Sequence, residues 1–192
     1  MVISKSYRKK SRTGQSVYAP GPATEEIESH TLAVLVRNEP GALARVIGLF
    51  SGRGYNIDSL TVTETDQLAQ MSRITIVCSG TLQVINQIKA QLERMVLVQS
   101  VKDLTADGAH VERELALVKV SGEGESRVEA LRTADIFRAN VVDTTPETFT
   151  FEITGTVDKI DAFIELMQPL GLIDVSRTGI AAISRGPSAI GE

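Results

Sequence analysis

The chain has no tryptophan, and aromatic residues make up only 4% of its 192 positions. Its interior must therefore be aliphatic. One cysteine, Cys78, excludes an intrachain disulfide and a cysteine-based metal cluster. Cys78 ends the apolar run Ile74–Cys78 and reads as a buried strand residue. His30 and His110 are the two histidines, and neither has a metal-ligating neighbour at helical spacing. That speaks against a zinc site or a histidine-based catalytic centre. No apolar run approaches the roughly 18 residues needed to cross a bilayer. A net charge of −4 does not suit a general nucleic-acid binder.

What is present begins with a basic segment. Lys5, Arg8, Lys9, Lys10 and Arg12 precede the first acid, Glu25, and Pro20-Gly21-Pro22 breaks any helix. Residues 1–29 read as a disordered basic tail. An organellar transit peptide is the lesser alternative, because the segment lacks an apolar face. A cytoplasmic location is the expectation. With five positive charges in the tail and −4 on the whole chain, residues 25–192 carry −9.

From His30 the pattern is regular. Thr31–Val36 holds two alternating sets, Leu32/Val34/Val36 and Ala33/Leu35, that are both apolar. Such a strand should be buried on both faces. A helix is predicted over Ala42–Ser51, with Leu43, Val46, Ile47 and Phe50 on one face and Gly52 and Gly54 stopping it. A strand over Ile57–Thr63, a hairpin at Thr65-Asp66-Gln67 and a return strand over Met71–Cys78 follow. Gly80-Thr81 opens a helix to Arg94, with Leu82, Ile85, Ile88 and Leu92 as its stripe. Met95–Leu104 is a last strand. This order, β-α-β-β-α-β, is the ferredoxin-like one.

The order then repeats. Strands over Leu115–Val120, Asn140–Thr144, Thr148–Thr154 and Leu172–Arg177 alternate with two helices. The helix over Glu125–Phe137 uses Val128, Leu131, Ala134 and Phe137, and that over Val157–Gln168 uses Val157, Ile160, Phe163, Ile164 and Met167. The fold class is α+β, with two tandem ferredoxin-like βαββαβ units over residues 30–105 and 113–186. A linker over 106–112 joins them, and 187–192 form a short tail. A unit of this size buries only about 60% of its unfolded surface. Its sheet also ends in open edges, which call for a partner. At least a dimer is expected, through edge pairing of the first units.

Glycine-rich spots do not make a nucleotide site. Gly52-Arg53-Gly54 ends a helix instead of opening one, and Gly122-Glu123-Gly124 lacks a third glycine and carries an acid that repels phosphate. No P-loop is present. The turn Asn38-Glu39-Pro40-Gly41 is different, because it opens a helix. Bare N–H groups and the helix dipole favour a small anion there, and a carboxylate suits it. Gly41 allows close approach to the backbone, and Asn38 offers a donor and an acceptor. Asn56-Ile57 opens the second strand at a sheet edge. Across a dimer it could face the partner's Asn38 and Gly41, with Leu43 and Ile57 as an apolar wall. Taken alone, Asn38 and Gly41 could equally just shape a tight turn.

Asn38-Glu39-Pro40-Gly41-Ala42-Leu43, the run from Arg53 to Val62 and Ser72-Arg73-Ile74-Thr75-Ile76 resemble the ACT domain of the acetolactate synthase small-subunit family. The resemblance extends through Gly108–Val120, Asp135–Ala139 and Ser176–Ile180, and covers residues 30–186. It implies a regulatory subunit with no catalytic site or metal of its own. Its implied partner is a large catalytic subunit that uses thiamine diphosphate, FAD and Mg²⁺. That enzyme condenses two pyruvates to acetolactate and CO₂, or forms acetohydroxybutyrate, in branched-chain amino-acid synthesis. The family further implies a homodimer through ACT domains and feedback inhibition by valine, with leucine and isoleucine as alternatives. Its effector site maps onto Asn38, Gly41, Ala42, Leu43, Asn56 and Ile57. No nucleic acid or membrane is implied as a partner. Ala44 stands where some members have serine, and the hairpin Thr65–Met71 differs from common versions.

Three other classes share parts of this pattern. A free-standing amino-acid sensor would not need the matching second unit. An acylphosphatase-like enzyme would need a phosphate cradle, which Glu39 disfavours. An RNA-binding ferredoxin-like domain would need aromatics on its central strands, and Leu32–Val36 and Ile74–Cys78 have none.

Overall fold

The computed structural model describes residues 26–66, 68, 70–122 and 124–191. The basic tail as far as residue 25, Gln67 of the hairpin and Glu123 of the glycine turn lie outside the described residues. The first unit comprises β1 (Glu28–Arg37), α1 (Ala42–Ser51), β2 (Ser59–Asp66), β3 (Met71–Gly80), α2 (Leu82–Glu93) and β4 (Val98–Asp103). Its antiparallel sheet has the order β2-β3-β1-β4. The second comprises β5 (His110–Ser121), α3 (Gly124–Phe137), β6 (Asn140–Thr144), β7 (Thr148–Gly155), α4 (Val157–Met167) and β8 (Leu172–Arg177), in the order β6-β7-β5-β8. Both units follow the ferredoxin-like path read from the sequence.

Helix periodicity decides which side chains enter each core. In α1 the buried residues are Ala42, Val46 and Phe50. Leu43 is one position off that stripe, about 100° around the helix, and is 37% exposed. In α2 the Thr81 hydroxyl accepts the N–H of Val84, and Ile85, Ile88 and Leu92 are buried. Leu82, expected on that stripe, opens the helix and is exposed. In α3 the buried set is Ala130, Thr133 and Ala134, with Leu131 and Phe137 packed against the core. Val128 was expected there, but it lies two positions, about 200°, from Ala130 and faces solvent.

The strand boundaries also shift. β2 starts at Ser59 and reaches Asp66, into the expected hairpin. β5 starts at His110, inside the stretch read as a linker. The reason is an additional short strand, β9 (Ala181–Ser184), which pairs His110–Arg113. Alanine is a poor strand former, so Ala181-Ala182-Ile183-Ser184 carries little signal of its own.

β9 also explains the doubly apolar β1. Leu32, Val34 and Val36 pack into the first core. Ala33 turns to the opposite face, where it joins Val77 and Leu104 of the first unit and Ile180 and Ala182 of the second. The outer face of the first sheet is therefore covered by the second unit. Hydrogen bonds reinforce the contact, among them one of 2.5 Å from Arg73 Nη2 to the Ala182 carbonyl. Burial there pushes the Arg73 guanidinium below its ordinary pKa.

Candidate functional site

The β1–α1 turn is held by short-range bonds. Glu39 N–H donates to the Arg37 carbonyl (2.9 Å), and Ala42 N–H to the Glu39 carbonyl (3.0 Å). Gly41 is the N-cap of α1 at φ +80°, a conformation that a side chain would strain. Its side-chain position is open, with no atom within 4 Å of a Cβ built there. No side chain caps the helix. Among the described residues, no acceptor meets the N–H groups of Gly41, Leu43 or Ala44. The turn thus presents bare donors at a helix N-terminus to solvent. Such an arrangement holds a carboxylate without a cation.

The six predicted residues divide in what they can offer. Asn38 is exposed, and its backbone N–H donates to the Gln70 carbonyl at 2.7 Å. Leu43 is partly exposed beside the bare N–H groups. The Ala42 methyl, in contrast, is buried in the first core and its N–H is already bonded, so it shapes the turn. Ile57 is half-buried against the same core. Asn56 and Ile57 lie in the loop before β2, not on the strand itself. Asn56 Nδ2 donates to Asp58 Oδ1 at 2.6 Å, and Asp58 Oδ2 accepts from Ser79 Oγ at 2.7 Å.

Within one chain the two groups do not meet. The turn follows Arg37, which pairs with Met71 at one end of the sheet. Asn56-Ile57 precede Ser59, which pairs with Val77 toward the other end. The six steps from Met71 to Val77 span about 20 Å. The two groups of candidate residues therefore lie at opposite ends of the sheet within one chain.

Gln70 was not singled out by the sequence reading. It is in a left-handed conformation at φ +52°, which turns the hairpin so that its carbonyl reaches Asn38. Its residue type carries no signal for that role. His30 and Asp103 form a buried pair, Nδ1 to Oδ2 2.9 Å. Asp103 Oδ1 also accepts the N–H groups of Thr105 and Ala106. This pair ties β1 to the turn after β4, and its burial denies it a substrate. A groove of about 840 Å³ runs between the units, lined in part by Thr31, Asp58, His110, Glu112 and Arg177. None of the six predicted residues lines it. Among the described residues, no three of His, Cys, Asp and Glu gather to hold a metal ion, and no helix is long and apolar enough to cross a membrane.

Comparison with known proteins agrees with this architecture unit by unit. Residues 32–100 match the AHAS small subunit-like ACT domain, and residues 113–186 match the family described as small subunit of acetolactate synthase. The chain is similar to the acetolactate synthase isozyme 3 small subunit of Escherichia coli, at 47% identity over 81% of this chain and 94% of that one. It is equally similar to the acetolactate synthase small subunit of Haemophilus influenzae, at 47% identity over 83% of this chain and 97% of that one. The crystal structure of the acetolactate synthase small subunit from Thermotoga maritima superimposes with a TM-score of 0.76 and 36% identity, covering 84% of this chain and 99% of that one. Two matched units in the same order, at this identity and coverage, place the chain in the acetolactate synthase small-subunit family, the regulatory partners of a larger catalytic subunit.

Proposed function

We propose that two copies of this chain pair through β2 and bind valine at their shared edge, thereby setting the activity of the catalytic subunit. The observation that carries this reading is the separation of the half-sites along β2. A two-fold axis at that edge runs the two β2 strands antiparallel, so the start of one lies beside the end of the other. Asn56-Ile57 of one copy then faces Asn38, Gly41 and Leu43 of its mate. The bare N–H groups at Gly41 take the carboxylate, the two asparagines take the ammonium, and Leu43 and Ile57 flank the side chain. Ala42 supports the turn from beneath.

In this reading the catalytic subunit holds thiamine diphosphate, FAD and Mg²⁺ and forms acetolactate or acetohydroxybutyrate in the cytoplasm. The small subunit raises its activity and valine withdraws that support. Valine shifts the equilibrium only by its different affinity for two arrangements of the dimer, about 1–3 kcal/mol for typical allosteric coupling. Leucine and isoleucine differ from valine by one methylene, worth about 1–3 kcal/mol of discrimination. The test is reconstitution with the cognate catalytic subunit. Stimulated acetolactate formation that falls on titration with valine is expected. A catalytic subunit whose rate ignores this chain refutes the reading.

A further inference from the structure

The loop that carries one half-site is bonded directly to the second unit. Ser59 follows Asp58, which Asn56 engages through its amide. The Ser59 hydroxyl accepts the N–H of Ile180 at 3.0 Å, and the Thr61 hydroxyl donates to the Ile180 carbonyl at 2.9 Å. Both polar groups of one peptide residue are thus gripped by alternate residues of β2. The approach depends on Gly179, at φ +80°. A Cβ there would stand 2.7 Å from Ser59 Oγ and 3.0 Å from Thr61 Oγ1. Ile180 then leads straight into β9, and β9 pairs with the first residues of β5. β5 is the central strand of the second sheet, between β7 and β8.

We infer that this grip of Ser59 and Thr61 on Ile180 is the joint that passes effector occupancy from the first unit to the second. It rests on the effector reading above. Asn56 gives the joint two states. Without effector its amide is engaged by Asp58, which fixes the turn entering Ser59. An amino-acid ammonium donates to Asn56 Oδ1, the other end of that amide, and drawing the oxygen toward the effector re-aims the side chain and loosens the Nδ2–Asp58 bond. The Asp58 side chain, then held by Ser79 alone, turns, and the adjoining Ser59 hydroxyl turns with it. Because Ser59 holds the Ile180 N–H, the change reaches β9 and the start of β5. The Asp58 N–H stays on the Val77 carbonyl, so the backbone of the edge holds and the change is one of side-chain aim at Ser59. Ser59 and Gly179 are therefore positioning residues for regulation. They touch neither effector nor substrate.

The test uses Ser59→Ala and Gly179→Ala in the full chain, reconstituted with the catalytic subunit. Three readouts are taken on each: valine affinity by calorimetry, stimulation of acetolactate formation, and inhibition by valine. Amide hydrogen exchange at Ile180 and Ala182 is followed with and without valine. The expected result is valine affinity within about threefold of the unaltered chain, retained stimulation, and inhibition weakened at least fivefold. The valine-dependent change in exchange at Ile180, present in the unaltered chain, should vanish. Ser59→Ala keeps the test decisive if Gly179→Ala does not fold. Full inhibition by valine in Ser59→Ala, with exchange at Ile180 still responding, overturns the joint and leaves the effector reading standing. Failure of the unaltered chain to bind valine, leucine or isoleucine overturns both.

Discussion

Arg177 meets Glu114 with two parallel hydrogen bonds, Nε to Oε1 at 3.0 Å and Nη2 to Oε2 at 2.5 Å. Its remaining nitrogen, Nη1, reaches Asp161 at 2.6 Å. The Glu114 side chain is 5% exposed and that of Arg177 33%. The hydrogen bonds to Glu114 hold the guanidinium more firmly protonated than usual. β5, β8 and α4 are thereby fastened at one point. Breaking a fully buried pair costs about 3–5 kcal/mol, and the partial exposure of Arg177 lowers that. Glu114→Gln should destabilise the chain by about 2 kcal/mol in urea titration. A midpoint unchanged from that of the unaltered chain would show that the pair contributes nothing.

Gly41 tests the anion site. Its φ of +80° disfavours any side chain by about 1–2 kcal/mol, with Asn and Asp the most tolerant. Open space around it means no clash. Gly41→Asp and Gly41→Asn therefore share the backbone cost and differ in charge. Calorimetry should show valine binding at least tenfold weaker in Gly41→Asp than in Gly41→Asn. Equal affinities would remove the carboxylate from this turn.

Val62 lies near the middle of β2 and is 43% exposed. Across a two-fold at that edge its two copies come close. Val62→Glu places like charges there, which is destabilising for directly opposed residues. Sedimentation velocity should show a shift to monomer, and valine binding should disappear with the dimer. A monomer that still binds valine would mean that one chain holds a whole site.

Cys78 is fully buried on β3, and burial, then Asp58 and Asp103, push its thiol up to about 11 from an ordinary 9.0. The folded chain therefore holds this proton more tightly than the unfolded one. The associated stability is fully present below pH 9 and is lost as pH rises from 9 toward 11. Two pKa units correspond to about 2.7 kcal/mol as an upper figure. Cys78→Ala should flatten the stability profile in that window. The native thiol should also resist disulfide reagents at neutral pH until the chain unfolds. Rapid native labelling would contradict the burial.

The sequence pattern captured what periodicity controls. Helices α1 to α4, the two ferredoxin-like units and the double-sided burial of β1 all follow from alternation and 3.6-residue spacing. It misjudged Val128 and Leu82, because an apolar residue adds to a plausible stripe whichever side the helix turns inward. It missed β9, whose pairing with His110–Arg113 joins residues some 70 positions apart. The candidate residues Asn38, Gly41, Asn56 and Ile57 stand out in the sequence as residue types. Their separation along β2 was not, since it depends on the register of β2 against β3 and of β3 against β1. The engagement of Asn56 by Asp58 and the reach of Gln70 to Asn38 depend on local backbone angles that composition does not encode.

β5 takes part in three pairings along its length, with β9 at its first residues and with β7 and β8 further on. During synthesis the first sheet can close once β4 has emerged, but Ala33, Val77 and Leu104 stay uncovered until Ile180 and Ala182 arrive. The nascent first unit thus keeps a sticky face throughout the synthesis of β5 to β8. Segments tend to fold as units from the N-terminus, and uncovered apolar surface in such intermediates invites aggregation. The residues that cover this face follow the first sheet by some 75 positions, so a ribosome stalled before position 180 leaves Ala33, Val77 and Leu104 without Ile180 and Ala182.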